Sequence, residues 1–223
     1  MSTTNTKIPC IFAPNSKPYG KTFGEWGEEW IKWALSIPRV DNPAADSTGK
    51  NCVQKQKGPV WFLAGTFGGS AKRKCIIPAG KAILFPIVAK ECSFVEDDDL
   101  KTEQELSERV KEVMNYVMHM DVIVDTVQLQ DLNKYRAHSR VFDLVFPENN
   151  VYNVKPGPTR SVTDGYWILL KPLSVGKHQI YFNAKISFQE GSKLVELARR
   201  YNKIKDTMFR TEVLYEITIE PNV

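Results

Sequence analysis

The spacing of apolar residues changes period along the chain. Residues 1–20 are polar and carry Pro9, Pro14 and Pro18, which predicts an extended N-terminal arm. Thr22 then stands at an N-cap position with Glu25 three residues later, the spacing of a capping box. Phe23 to Ile37 follows with helical periodicity and is stopped by Pro38, so a helix is predicted near 23–37. Residues 38–58, rich in Asn, Asp, Gly, Lys and Gln, are a loop.

From Gly58 onward the punctuation is that of β-structure. Val60-Trp-Phe-Leu-Ala, Lys74-Cys-Ile-Ile and Ala82-Ile-Leu-Phe-Pro-Ile-Val are short apolar runs bounded by Gly and Pro. The pattern breaks at 100–119. There Leu106, Val110, Val113, Met114, Val117 and Met118 fall on one helical face, with Asp97, Asp98, Asp99, Glu103 and Glu105 as an acidic first turn. In that reading His119 ends the helix. Alternation of period two returns at Phe142, Leu144 and Phe146, at Ile180 through Phe188, and at Val213, Tyr215, Ile217 and Ile219. Between the last two runs, Leu194, Leu197, Ala198, Tyr201, Ile204 and Met208 predict a third amphipathic helix, near 192–208. The expected fold is mainly β with helical insertions, a β-sandwich of jelly-roll-like strand pattern, in a single domain over 21–223.

Composition narrows the function classes. The 223 residues carry 30 basic and 26 acidic side chains, a formal charge of +4. So small an excess, without interleaved basic and aromatic residues, gives no reason to expect a nucleic-acid partner. The clusters Lys72-Arg-Lys74 and Arg199-Arg200 with Lys203 and Lys205 are short, and the second reads as a solvated helix face. No apolar stretch approaches the roughly 18 residues of a membrane-spanning helix, and no signal segment opens the chain. The sequence as it stands therefore reads as cytoplasmic, with a secreted protein lacking its leader as the alternative.

Several blocks are similar to a known family. Tyr19-Gly-Lys-Thr-Phe-Gly-Glu-Trp-Gly-Glu-Glu-Trp-Ile-Lys-Trp, Gly58-Pro-Val-Trp-Phe-Leu-Ala-Gly and Cys75-Ile-Ile-Pro-Ala-Gly-Lys resemble motifs of a family of uncharacterised prokaryotic proteins. So do Phe85-Pro-Ile, Cys92 and Asp164-Gly-Tyr-Trp-Ile-Leu-Leu-Lys-Pro-Leu-Ser-Val-Gly-Lys-His. The resemblance runs from about residue 19 to residue 188. Many members of that family carry a signal peptide, and no activity is established for them, so the resemblance implies an architecture and little chemistry. It places Cys52, Cys75 and Cys92 inside motifs and leaves Cys10 outside.

Candidate chemistry is sparse. Trp26, Trp30 and Trp33 share one helical face, flanked by Glu25 and Glu29. An aromatic wall beside carboxylates is how many sugar sites are built, while the alternative is a core-facing stripe, which avoids exposing a large apolar patch. Asp41 and Asp46 lie in an oxygen-rich loop where a divalent metal ion such as Ca²⁺ is one reading and Asx-turn chemistry the other. The cysteine spacings match no zinc motif, which leaves a disulfide among Cys52, Cys75 and Cys92 or buried reduced thiols. His138, His178 and Asp164 would form a site only if their strands were neighbours. The function expected is a non-enzymatic binding module for a small molecule or glycan. The alternatives are a metal-assisted lyase or hydrolase with a pocket between the sheets, and a self-associating homo-oligomer in which the Trp helix packs on a neighbour.

Overall fold

A computed structural model describes residues 11–192, 194–196 and 207–221. In chain order its elements begin with α1 (Phe23–Leu35), β1 (Val60–Phe62), β2 (Gly69–Pro78), β3 (Ala82–Ser93), α2 (Glu103–Asn115), β4 (Val117–Val124) and β5 (Val127–Gln128). They continue with β6 (Arg136–His138), β7 (Phe142–Phe146), β8 (Gly157–Leu170), β9 (Gly176–Ser187) and β10 (Met208–Glu220). The fold is mainly β with helical insertions, as the strand pattern predicts.

Two five-stranded sheets face each other. The first runs β1-β3-β8-β6, with β7 also on β8; the second runs β2-β10-β9-β4-β5. Both are mixed, because β1 lies parallel to β3 and β2 parallel to β10. Phe85, Ile168 and Leu170 of the first sheet meet Phe182, Val213 and Tyr215 of the second to form the inner core. The outer face of the first sheet is covered in turn by α1, whose Trp26, Trp30 and Trp33 pack with Leu84, Trp167 and Leu169. Sheet strands covered on both faces read as continuous apolar runs, as β3 does over residues 82–89 and β8 over residues 166–170. Among the described residues no helix covers the outer face of β9 and β10, and these strands keep their alternation.

α1 starts where its capping box predicts. Thr22 Oγ1 accepts from the Glu25 backbone N–H, and the Glu25 carboxylate accepts from Thr22 N at 2.7 Å. That hydrogen bonding holds the Glu25 carboxyl below its usual range, with both the Thr22 backbone and hydroxyl contributing. Gly24 and Gly27 let the helix approach the sheet, since a Cβ on Gly24 would lie 2.3 Å from the His138 carbonyl oxygen.

Two expectations are corrected, and the described part of the arm gains a contact. α2 ends at Asn115, and Val117 opens β4, so His119 sits on a strand and hydrogen-bonds Asp121 at 2.7 Å. Asp97, Asp98 and Asp99 precede the helix, whose cap is Thr102 and whose acidic first turn is Glu103 and Glu105. The arm is fastened from Ile11 onward: Ile11 bridges Leu170, and Phe12 N donates to Leu169 O at 3.0 Å. Most of the helix predicted near 192–208 lies outside the described residues, as does Cys10.

Candidate functional site: an apolar cavity with a charged end

β1 stops at Phe62, opposite Leu84, whereas β3 runs on to Ser93. Beyond Leu84, among the described residues, β3 has a strand neighbour only on its β8 side. The chain after β1 crosses to the other sheet, where Thr66 Oγ1 lies 2.9 Å from Thr211 Oγ1 of β10. In the same stretch the register of β3 against β8 shifts between Pro86 and Val88. A proline and an irregular register suit an edge and recur beside binding sites.

A cavity of about 170 Å³ occupies this region. Its walls are Trp30 and Ile31 of α1, Val88 of β3, Val113 and Met114 of α2, and Ile186 of β9, with Phe188, Leu194 and Phe209 beyond them. One end is charged: Lys90 and Glu91 of β3, Glu96 and Asp97 of the following segment, and Arg109 of α2. The Asp97 N–H donates to Ser93 O at 2.8 Å, which turns that segment back over the end of β3.

Lys90 Nζ lies 3.2 Å from Glu96 and 3.7 Å from Asp97. Arg109 reaches Asp97 at 3.5 Å and Asp99 at 3.0 Å. Glu91 has a different partner, accepting from the Ser161 hydroxyl at 2.6 Å. Glu91 also shares a carboxyl–carboxylate hydrogen bond with Glu96. Among the described residues, Glu91 Oε2, Asp97 Oδ2 and Arg109 Nη1 have no nitrogen or hydroxyl partner at hydrogen-bond distance.

Burial, reinforced by the neighbouring Glu96 and only partly opposed by Lys90, pushes the Glu91 carboxyl well above its usual 4.5. Burial alone would lower the Lys90 ammonium, but Asp97, Cys92, Glu96 and Glu91 carry it well above its ordinary value. Lys90 therefore stays charged. Burial also raises the phenol of Tyr152, which borders the cavity, and the thiol of Cys92.

The residues singled out from sequence fall elsewhere, with one exception. Trp26, Trp30 and Trp33 are buried, and their indole N–H groups donate to the carbonyls of Pro18, Leu63 and Gln54 at 2.9, 2.9 and 2.7 Å. They anchor α1, and Trp30 also lines the cavity. Glu25 is spent on its cap and Glu29 pairs with Lys21.

Asp46 accepts from the backbone N–H of Thr48 and Asn51 and from the Thr48 hydroxyl, at 2.8, 2.9 and 2.7 Å. Partial burial works against its ionised form, yet the Asn51 and Thr48 donors hold its carboxyl below the ordinary value. Both its oxygens thus face donors, and Asp41 stands exposed on a 3₁₀ turn. Among the described residues no three His, Cys, Asp or Glu side chains gather as a metal set.

His138 pairs with Asp164 in the β6–β8 register, but Arg136 takes the Asp164 carboxylate at 2.7 Å. Burial first, and then the Lys111 charge, lower His138. His178 lies in the other sheet, so the three are not brought together. His178 Nδ1 is 3.0 Å from Asp125, and Ser174 Oγ is 3.5 Å from Nε2, the order of a hydrolase triad. However, Nε2 is 2.9 Å from the Ser174 carbonyl oxygen, an acceptor, so it offers no lone pair to activate the hydroxyl.

Cys52 and Cys75 form a disulfide with Cα atoms 6.0 Å apart. Cys92 is a free thiol, fully buried among Leu106, Val110 and Val162 under α2, out of reach of that pair.

Arg73, read from sequence as part of a short basic cluster, is 1% exposed. Its guanidinium donates to the carbonyls of Ala64, Gly65 and Asp46 at 2.6, 3.0 and 2.7 Å. It thereby holds the segment that closes the cavity on its outer side.

No family model matches the chain. No curated protein matches it. Among solved structures, a cysteine protease inhibitor from Entamoeba histolytica is 12% identical, with 72% of this chain and 96% of that chain covered at a TM-score of 0.24. A likeness so low carries no argument about function.

Proposed function

We propose that the protein is a small-molecule-binding β-sandwich whose ligand occupies the cavity beside β3. One observation carries the reading: an apolar cavity ends in buried polar atoms, Glu91 Oε2 and Asp97 Oδ2, that have no nitrogen or hydroxyl donor at hydrogen-bond distance among the described residues. Buried acceptors left unpaired cost about 1–3 kcal/mol each, and convergent polar groups in an apolar pocket are the common form of a ligand site. The burial of the three indoles favours a small apolar molecule over a glycan. The Cys52–Cys75 disulfide favours an oxidising compartment, in keeping with the signal-bearing family that the motifs resemble. Among the described residues no helix is long and apolar enough to cross a membrane.

Titration with benzyl alcohol, followed by methyl NMR, tests the reading. Shifts concentrated on Val88, Val113, Met114, Ile186 and Leu194 are expected, and the absence of saturable shifts there would refute it.

A further inference from the structure

We infer that the cavity takes an organic cation, an ammonium group on a ring-sized apolar body, with the ammonium seated against Glu91 and Asp97. The inference rests on the binding reading above and adds the charge of the ligand.

The distribution of charge around Glu91 decides it. Each base at the cavity end serves two acids: Lys90 divides itself between Glu96 and Asp97, and Arg109 between Asp97 and Asp99. Glu91, 2% exposed, forms no ion pair among the described residues; it accepts from the Ser161 hydroxyl and shares a carboxyl–carboxylate hydrogen bond with Glu96. An anionic ligand would find one open donor, Arg109 Nη1, but would add negative charge to an end that already holds more acids than bases. A neutral ligand would leave the acidic excess untouched. A cation with N–H donors answers the acidic excess and takes the place of the proton that Glu91 and Glu96 share, while Asp97 Oδ2 has only Lys90, at 3.7 Å. The body of the ligand follows from the walls. About 170 Å³ lined by Trp30, Val88, Val113, Met114 and Ile186 compares with the roughly 150 Å³ that admits benzene in another protein.

Binding then displaces a proton. Glu91 is faced by Lys90 and Cys92 of its own strand, by Glu96 and Asp97, by Tyr152, by the Ser161 hydroxyl of β8 and by Arg109 of α2. Burial keeps its carboxyl protonated above the usual range. An arriving ammonium favours the carboxylate, so the proton leaves to solvent and affinity rises with pH while Glu91 titrates, by up to about tenfold per pH unit.

Calorimetric titration of the full chain with benzylamine, benzyl alcohol and benzoate tests this with bodies of one size and three head charges. Benzylamine is expected to bind at least about tenfold tighter than benzyl alcohol, with proton release visible as a dependence of the heat on buffer ionisation enthalpy. Benzoate is expected to bind weakest. In Glu91→Gln the amine's advantage is expected to vanish while benzyl alcohol binding persists. Benzoate binding as tightly as benzylamine, or amine binding without proton release in the native chain, overturns the inference and leaves the cavity reading standing. If none of the three binds, the cavity reading itself falls and the inference with it. The buffer dependence needs no variant, so it decides the matter even if Glu91→Gln fails to fold.

Discussion

Arg73 donates to the Tyr215 hydroxyl at 2.9 Å from the position directly paired with it across the β2–β10 ladder. That hydroxyl also accepts from the Ala64 N–H at 3.1 Å and donates back to the Ala64 carbonyl at 2.9 Å. The pair therefore ties the chain just beyond β1 to the second sheet. Removing the guanidinium in Arg73→Met leaves several buried carbonyls without donors, and a loss of about 2–4 kcal/mol is expected. Chemical denaturation measures it. A change below about 0.5 kcal/mol would show that the network is dispensable.

Gly24→Ala is expected to destabilise, although alanine is ordinarily the better helix former by up to about 1 kcal/mol. The added methyl would sit 2.3 Å from a backbone oxygen of β6, and backbone cannot swing aside as a side chain does. A net loss of about 1–3 kcal/mol is the expected balance, read from the shift in melting temperature. A stabilised variant would mean that α1 does not dock this closely.

Reduction of Cys52–Cys75, which closes a separation of 23 residues, should cost about 3 kcal/mol. The same experiment addresses Cys92. Fully buried, with its thiol raised chiefly by burial, it should resist alkylation in the native protein and react only on unfolding. Mass spectrometry of iodoacetamide-treated protein separates these outcomes, and labelling of Cys92 under native conditions would contradict its placement.

Glu91 gives stability a pH dependence of known sign. Its carboxyl is raised in the folded state, so the folded protein holds the proton more tightly than the unfolded chain does. The contribution is fully present below the usual 4.5 and is lost as pH rises through the folded value. Glu91→Gln keeps a neutral group there at every pH, so its melting temperature should fall less than the native protein's as pH rises above about 5. Equal slopes would show that Glu91 is ionised throughout.

How far the amino-acid sequence foretells this structure varies from strand to strand. Phe142, Leu144 and Phe146 alternate in sequence and in burial because β7 has one wet face. α1 is announced by Thr22 and Glu25, a purely local device. β4 hides behind α2, because Val117 and Met118 continue the helical spacing while the backbone has already become extended. The charged end of the cavity is the least legible part. Lys90, Glu91, Asp97 and Arg109 meet only because β1 is short, the segment after Ser93 folds back and α2 lies across the strand ends. Each of those is a tertiary event, and Asp97 in isolation resembles the start of a helix.

The parallel pairing of β2 with β10 has a consequence for how the molecule is made. Residues 69–78 wait for partners at 211–220, and β10 is an interior strand of its sheet, so on the ribosome one half of the sandwich stays open until nearly the whole of the chain described has emerged. The strands of the other sheet are all present by residue 170. A nascent chain halted between these points would carry one complete sheet with its apolar inner face bare, a surface open to misassembly.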